Sequence, residues 1–399
     1  MSSDTFQGAD IVCLGSVEWL LIHSAAENTM LGLSESHRVL YVEPFNSLIT
    51  QLRVARSQAR KYERRGGLRR LSGNFTVYSP PPIGLPGLTR WKWPARINAW
   101  MLSWLLKRIM KKMEIRDPVL YTYLYESAGL VRRLPARLSV YEVLDHDETL
   151  AKDERHRRLI REHEEEVCRE ADMVVGITEE LASQRRPYNA ETYVANGGAD
   201  LEFFGRALLD STPVPGDIAR LPKPILGYMG SLDPWKMDVE LITHIARTNP
   251  EWSLALVGFV WYGFDPRRFE GCPNIHVLGP KEYEDFPGYL KGMDVCLMPF
   301  PLNGITLNGD AIKLYEYLAA GKPVVSTPVP AARRFRDVVR VAENKEEFVQ
   351  AIQSCLREPA GATAKRLERI GAHSWAHRVR LHEQLVESRL RLKHAGASK

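Results

Sequence analysis

The chain has 399 residues, 44% of them apolar and 26% charged, with a formal net charge of +5. That length exceeds one ordinary hydrophobic core and predicts two domains, while the composition excludes wholesale disorder. Five scattered cysteines without a CxxC pair argue against a disulfide framework or a zinc cluster and for a reducing cytosol. The polar start MSSDTFQGAD lacks a basic-then-apolar signal pattern, and no run of roughly 18 apolar residues predicts a membrane span.

In chain order, 9–15 (ADIVCLG) and 38–45 (RVLYVEPF) predict strands with a helix between them, the pattern of a parallel α/β unit. Further strands are predicted at 118–123, 137–143, 172–177 and 192–195, with a charged helix over roughly 152–170. Residues 206–224 are Pro-rich and aperiodic, which predicts the domain linker. A second α/β series follows, with strands at 225–230, 253–258, 274–279, 294–299 and 323–327. The tail from about Ala362 is predicted to be helical and basic.

In such sheets ligands bind beyond the carboxyl ends of the strands. At one such end stands YMGSLDPWKMD (228–238). There Gly230 and Ser231 allow close approach of a ligand, and Lys236 adds a positive charge for a phosphate. The other reading of this stretch is an ordinary strand-to-helix turn with a solvated lysine. The second stretch is NGITLNGDAIKLYEYLAAGKPVVST (303–327). Its polar loop is expected to aim amides at an anion where a helix begins. About two turns into that helix, the Glu316 carboxylate suits the vicinal hydroxyls of a ribose. A surface glutamate is the alternative, but Leu314, Tyr317 and Leu318 make the helix apolar on much of its circumference, so Glu316 needs a partner if buried.

The string KLYEYLAAGKPVVST resembles the signature of glycosyltransferases of the two-domain GT-B architecture, in particular the large retaining family of bacterial cell-surface polysaccharide enzymes. GYMGSLDPWKMD, NIHVLGPKEYEDFPGYLKGMDVCLMPF, EEEVCREADMVVGITEELAS and NGGADLEFF are similar to other segments of that family, most of all its branch making teichuronic-acid-like or exopolysaccharide chains. The resemblance covers roughly 138–205 and 222–337.

It implies an α/β fold of two Rossmann-like doubly wound domains facing across a cleft. Residues 1–206 would bind the acceptor, 222–370 the nucleotide-sugar donor, and a 371–399 helix would pack back on the N-terminal domain. Glu316 would hold the ribose. Lys236 and the amides near Gly230 and Ser231 and after Gly304 would hold the diphosphate, with Lys313 near the same loop as another phosphate contact; Thr306 and Asn308 would bind the donor, and Gly258 and Tyr283 would lie near the base. The family pattern has two glutamates separated by seven residues, but the first position here is Asn308, which carries no charge. On the acceptor side, LDHDE (144–148) offers Asp145 and His146 as catalytic or positioning groups, or else a solvated acidic turn. Gly15, Ser16 and Glu18, after the first strand, would line the same side. Lys236 and helix amides take the leaving charge that other enzymes give to a metal, so neither metal nor cofactor is expected.

Residues 53–112 hold 15 Lys and Arg against one acid, Glu63, so the rest of the chain is net acidic. Within 91–113, Trp100, Met101, Trp104, Leu105, Ile109 and Met113 fit helical spacing, with Lys107, Arg108, Lys111 and Lys112 toward the end. A basic lobe over 53–113 that docks on an anionic membrane is one reading, and a core helix with snorkelling lysines is the other. No nucleic-acid motif accompanies the charge. The function expected is therefore transfer of a sugar from a nucleotide-diphosphate donor to a glycan or lipid-linked acceptor, in the cytoplasm and peripheral at the inner face of the cell membrane. A sugar-nucleotide epimerase of the same architecture and a non-catalytic sugar-nucleotide-binding paralogue are the alternatives. A nicotinamide oxidoreductase is disfavoured because no GxGxxG follows the first strand of either half.

Overall fold

The computed structural model describes residues 6–19, 24–48, 66–261, 264–359 and 361–397. The chain divides into two compact units, Met1–Asn196 with Trp375–Lys399, and Gly197–Ser374. In the first unit the strands are β1 (Asp10–Leu14), β2 (Arg38–Val42), β3 (Gly67–Arg70), β4 (Phe75–Ser79), β5 (Val119–Thr122), β6 (Leu138–Val143), β7 (Met173–Gly176) and β8 (Thr192–Val194). They form one sheet in the order β3-β4-β2-β1-β5-β6-β7-β8. Only β3, on the edge, runs antiparallel, against β4. The expected strands are apolar runs because parallel strands with helices on both faces are buried on both sides. Strand β6 (LSVYEV), for example, has no exposed residue.

The second unit holds β9 (Ile225–Met229), β10 (Ser253–Val257), β11 (Ile275–Gly279), β12 (Val295–Met298), β13 (Val324–Ser326) and β14 (Arg340–Val341). Their order is β11-β10-β9-β12-β13-β14, and every pairing is parallel. Counted within the unit this is 3-2-1-4-5-6, the doubly wound dinucleotide-fold order. The winding reverses between β9 and β12, so the loops leaving those two strands part and open a crevice at their carboxyl ends.

The expected boundary at 206 and the linker at 206–224 are corrected. Residues from Gly197 onward belong to the second unit. Phe204 lies fully buried in its core, and Ala199 bridges to Ser374. The Pro-rich stretch is packed rather than spanning: Ile218 is buried, and a Cβ on Gly292 would touch Val214 and Ile218. All five cysteines are buried and unpaired.

The helix Lys92–Lys112 bears on the two readings given for it, a membrane-facing stripe or a core helix. Its inward face is Ala95, Ala99, Leu102, Leu106 and Met110, so Trp100 and Trp104 of the expected stripe are not core residues. Those two tryptophans point outward and are 61% and 52% exposed. The large rings are excluded because the helix must pass close to its neighbours: a Cβ on Gly129 would stand 2.9 Å from Ala99. Residues 53–65 of the basic lobe lie outside the described residues. Among the described residues no helix is long and apolar enough to cross a membrane.

The last helix, Trp375–Ala397, returns to the first unit and places Val379, Val386 and Leu390 in its core. Its first turn carries Arg378, whose side chain is about 1% exposed. The guanidinium pairs with buried Glu142 on β6 and donates to Thr29 Oγ1 at 2.9 Å and to the Asn196 carbonyl at 2.8 Å. It also bonds the Ala195 carbonyl. Burial raises the Glu142 carboxyl above its usual range, and Arg378 opposes that rise. A buried charge without its partner is far more costly than the pair. Arg378→Met is therefore expected to lower unfolding free energy by about 3 to 5 kcal/mol in denaturant titration. A loss under about 1 kcal/mol, the size of an exposed ion pair, contradicts this reading.

Candidate functional site

The site is built where β9, β10 and β12 end. Tyr317, in the helix Ile312–Ala319, accepts the Met229 N–H at 2.7 Å and donates to the Met229 carbonyl at 3.2 Å. That clamps the end of β9 to this helix. Gly230 follows with φ +143° and bonds the Val257 carbonyl at 2.8 Å. Gly258, with φ +147°, ends β10 beside it. A Cβ on Gly258 would overlap the Gly230 carbonyl oxygen, so no side chain fits there. The two expected glycines therefore have a joint role: they let two strand ends touch.

Lys313 enters this corner from the Ile312–Ala319 helix. Its ammonium lies 3.8 Å from the Tyr228 ring centre, 5.1 Å from that of Phe300, and 2.8 Å from where a Gly230 Cβ would stand. Burial, and next the positive charge of Lys236, push its pKa down to about 7. Lys236 stands on the turn after β9, whose backbone is pinned by Trp235 N–H to Asp233 and by Lys236 N–H to the Asp233 carbonyl. Two cations thus converge where the winding reverses, an arrangement that suits an anion. Glu316, one turn beyond Lys313, is pushed up to about 7 by burial, with Lys313 opposing. Burial, and next the Glu316 charge, raise the Tyr283 hydroxyl. Tyr283 stacks on Phe203 at 4.7 Å and 2°, a flat aromatic pair near the Glu316 carboxylate.

Other expected members sit differently. The amides of Ile305 and Thr306, expected to grip phosphate after Gly304, both donate to Asn303 Oδ1, at 2.9 and 3.1 Å. Thr306 Oγ1 accepts the Asn303 N–H at 3.1 Å and bonds the Pro301 carbonyl. This capping box consumes the groups assigned to the ligand. The neighbouring helix Ile312–Ala319 has no side-chain cap, so the open helix start lies at Lys313 instead. Asn308 turns back to donate to the Gly304 carbonyl at 2.8 Å. Ser231 is half-buried, and its carbonyl accepts the Tyr228 hydroxyl at 3.0 Å.

Asp310 went unnoticed in the sequence. Its buried carboxylate takes the Gly197 N–H at 2.8 Å, the Tyr315 hydroxyl at 2.7 Å and Arg334 at 2.6 Å. It fixes the Asn-Gly-Gly turn against the loop that leads to Lys313 and Glu316. The only sequence signal was an aspartate following a second Asn-Gly, at 308–310.

In the first unit, Gly15, Ser16 and Glu18 lie on the loop leaving β1, which places them at a carboxyl end of the sheet. A Cβ on Gly15 would overlap the Tyr41 hydroxyl, which donates to the Val17 carbonyl at 2.9 Å. After β6, Asp145 is exposed, and His146 bonds Thr149 at 2.9 Å. Burial lowers the His146 pKa. The perturbed carboxyl is Asp147, pushed up to about 7 by burial and then by Asp145, Glu164 and Glu126. Glu126, on the loop after β5, is also raised by burial. Asp147 is therefore placed to exchange a proton near neutrality.

Two substitutions test the frame of the second unit. Gly258→Ala is expected to cost several-fold or more in ligand affinity, because the β9 and β10 ends must separate. Asp310→Ala removes the buried carboxylate that accepts the Gly197 N–H, the Tyr315 hydroxyl and partly exposed Arg334, and is expected to cost about 1 to 3 kcal/mol in thermal or denaturant unfolding. Wild-type melting of both variants would contradict the packing described.

With this geometry in place, residues 223–358 match the family model described as glycosyl transferases group 1. A putative teichuronic acid biosynthesis glycosyltransferase, TuaH, of Bacillus subtilis (strain 168) is 28% identical over 156 residues. That match spans 36% of this chain and 38% of that protein. Solved structures share the fold across nearly the whole chain. An E. coli structure described as trehalose-6-phosphate bound with UDP-2-fluoro glucose has TM-score 0.68 at 13% identity, covering 95% of this chain and 99% of its own. A sucrose-phosphate synthase of Thermosynechococcus elongatus has TM-score 0.68 at 16% identity, covering 98% and 100%. A UDP-forming alpha,alpha-trehalose-phosphate synthase of Burkholderia vietnamiensis has TM-score 0.70 at 12% identity, covering 98% and 99%. The fold is thus GT-B, and residues 223–358, which carry Gly230, Lys236, Lys313 and Glu316, are similar to the glycosyl transferases group 1 family.

Proposed function

We propose that the protein transfers a sugar from a nucleotide-diphosphate donor to a glycan or lipid-linked acceptor at the inner face of the cell membrane, in cell-surface polysaccharide synthesis. The observation that carries this is Lys313 enclosed beside Gly230 and within the electrostatic reach of Lys236, with Glu316 one turn further on. An ammonium pair at the reversal of the sheet supports a diphosphate, and a partly buried carboxylate beside it supports a ribose diol. In this reading the second unit, Gly197–Ser374, holds the donor, the first unit the acceptor, and Tyr283 with Gly258 borders the base.

As the glycosidic bond to phosphate breaks, negative charge grows on the leaving nucleoside diphosphate. Lys236 and Lys313 neutralise it, work that a metal performs elsewhere. On the acceptor side, Asp147 and His146 orient the attacking hydroxyl, with Gly15, Ser16 and Glu18 lining the approach. The basic lobe 53–113 draws the enzyme to anionic lipid.

The pKa directions give the reading a pH signature. Ligand-free Lys313 has a pKa of about 7, so above that pH it must take up a proton before it can meet a diphosphate. Glu316, also about 7, must lose a proton below that pH to accept two hydroxyls. Calorimetric titration of UDP, GDP, ADP and CDP into the full chain is expected to find one that binds with a bell-shaped pH dependence centred near 7. Lys313→Met is expected to remove the alkaline limb, and Glu316→Gln the acid limb. Incubation of sugar nucleotides with membrane lipid extract should then give lipid-dependent nucleotide release. Release without acceptor would replace transfer by isomerisation, and binding without release would indicate a non-catalytic protein. Binding unaltered by Glu316→Ala would refute the ribose assignment.

A further inference from the structure

The Lys92–Lys112 helix has a second face that its packing does not use. Trp93, Ile97, Trp100 and Trp104 are 53%, 40%, 61% and 52% exposed. Their spacings of four, three and four residues stack them into one stripe along the outer side. Trp91, 43% exposed, extends it at the helix start, its ring 6.4 Å from that of Trp93. An aligned row of large aromatics in water is an unusual surface for a soluble protein and marks an interaction site.

The charges beside the stripe say what covers it. No acid occurs from Arg64 to Met113. Arg90 and Arg96 flank one end, and Lys107, Arg108, Lys111 and Lys112 the other; Lys92 is engaged by Glu162 at 2.7 Å. Arg108 lies over the Trp104 ring at 4.3 Å, and Arg90 near Trp91 at 5.3 Å. Tryptophans on a segment that carries cations and no acid of its own, with Glu162 meeting it at Lys92, match the headgroup zone of an anionic bilayer, where indole and guanidinium are both favoured.

The stripe also begins at the ligand end of the sheet. The loop leaving β4 is tied to the loop leaving β2, with Ile83 bridging to Ser47 and Gly84 bonding the Asn46 carbonyl at 3.2 Å. Asn98 holds that loop to the helix, accepting the Leu85 N–H at 2.7 Å and donating to the Leu85 carbonyl at 3.0 Å. Leu48 and Ile83 are 58% and 51% exposed there. The apolar strip thus runs up to the edge where β1 delivers Gly15 and Ser16.

We propose that the stripe Trp93–Ile97–Trp100–Trp104 is a bilayer-inserting element: the helix lies in the membrane plane with its rings among anionic headgroups, and it presents the carboxyl end of the first sheet to a lipid-linked acceptor. The acceptor part rests on the function proposed above, whereas insertion does not. Attraction by the basic lobe alone is screened by salt, but apolar burial of rings is not.

The test uses the full chain with phosphatidylcholine vesicles, with and without phosphatidylglycerol, and with brominated lipid as a tryptophan quencher. The wild type is expected to sediment with anionic vesicles, to be quenched by bromolipid, and to keep part of its binding in high salt. The triple variant Trp93→Ser/Trp100→Ser/Trp104→Ser alters only exposed positions, so it should melt like the wild type and lose about tenfold or more in vesicle affinity. Equal binding of variant and wild type, or wild-type binding abolished by salt without quenching, overturns the proposal. So does a wild-type dimer in sedimentation velocity that the same substitutions dissolve, which would make a second copy the occupant. Nucleotide titration on both proteins separates the claims: a variant that binds nucleotide but not vesicles upholds insertion, and a wild type that inserts yet binds no nucleotide removes only the proposed transfer.

Discussion

Everything at the candidate site depends on one lysine held in a poorly solvated corner within the field of a second. Lys313 is caged by Tyr228 and Phe300, and the field of Lys236 adds to the cost of charging it. Such a pair is unfavourable alone and is relieved by an anion between the two ammoniums. The fold supplies the corner. A 3-2-1-4-5-6 sheet parts its loops between β9 and β12, and Gly230 and Gly258 let the flanking strand ends approach. Tyr317 and Asp310 then lock the helix that carries Lys313 and Glu316.

The first unit solves a different problem. Its helix Lys92–Lys112 must cover the sheet with small residues at close contacts, so its bulky rings face outward. The same constraint that keeps Trp100 and Trp104 out of the core makes them available to a surface. At the far end of the chain, Arg378 buries a charge to fasten the returning helix, with Glu142 and two carbonyls compensating its desolvation.

Much of this was legible in the sequence, for physical reasons. Buried parallel strands are continuous apolar runs, so ILGYMG, SLALVG and DVCLMP announced β9, β10 and β12 directly. Strands β3 (GLRR) and β14 (RV) were not legible, because edge strands need no apolar pattern. The Pro-rich 206–224 segment read as a linker since packing of Ile218 against Gly292 depends on contacts that composition does not encode. Lys236, Lys313 and Glu316 stand out by type and spacing, and the structure brings Lys313 and Glu316 into one poorly solvated corner, while their roles toward a ligand are part of the proposal. Thr306 was assigned to a ligand although Asn303 and Thr306 already spell a capping box, a local signal that outranks the functional one. Asp310 and Asp147 were passed over because their importance comes from burial among distant residues.

The most direct measurement is the titration of the Lys313 ammonium itself, followed by nitrogen-detected NMR of the full chain with labelled lysine. The two-cation account predicts a midpoint near 7 in the free protein and a rise of that midpoint when a nucleoside diphosphate is added. A midpoint at the ordinary lysine value of about 10.4, unmoved by any nucleotide, would contradict it.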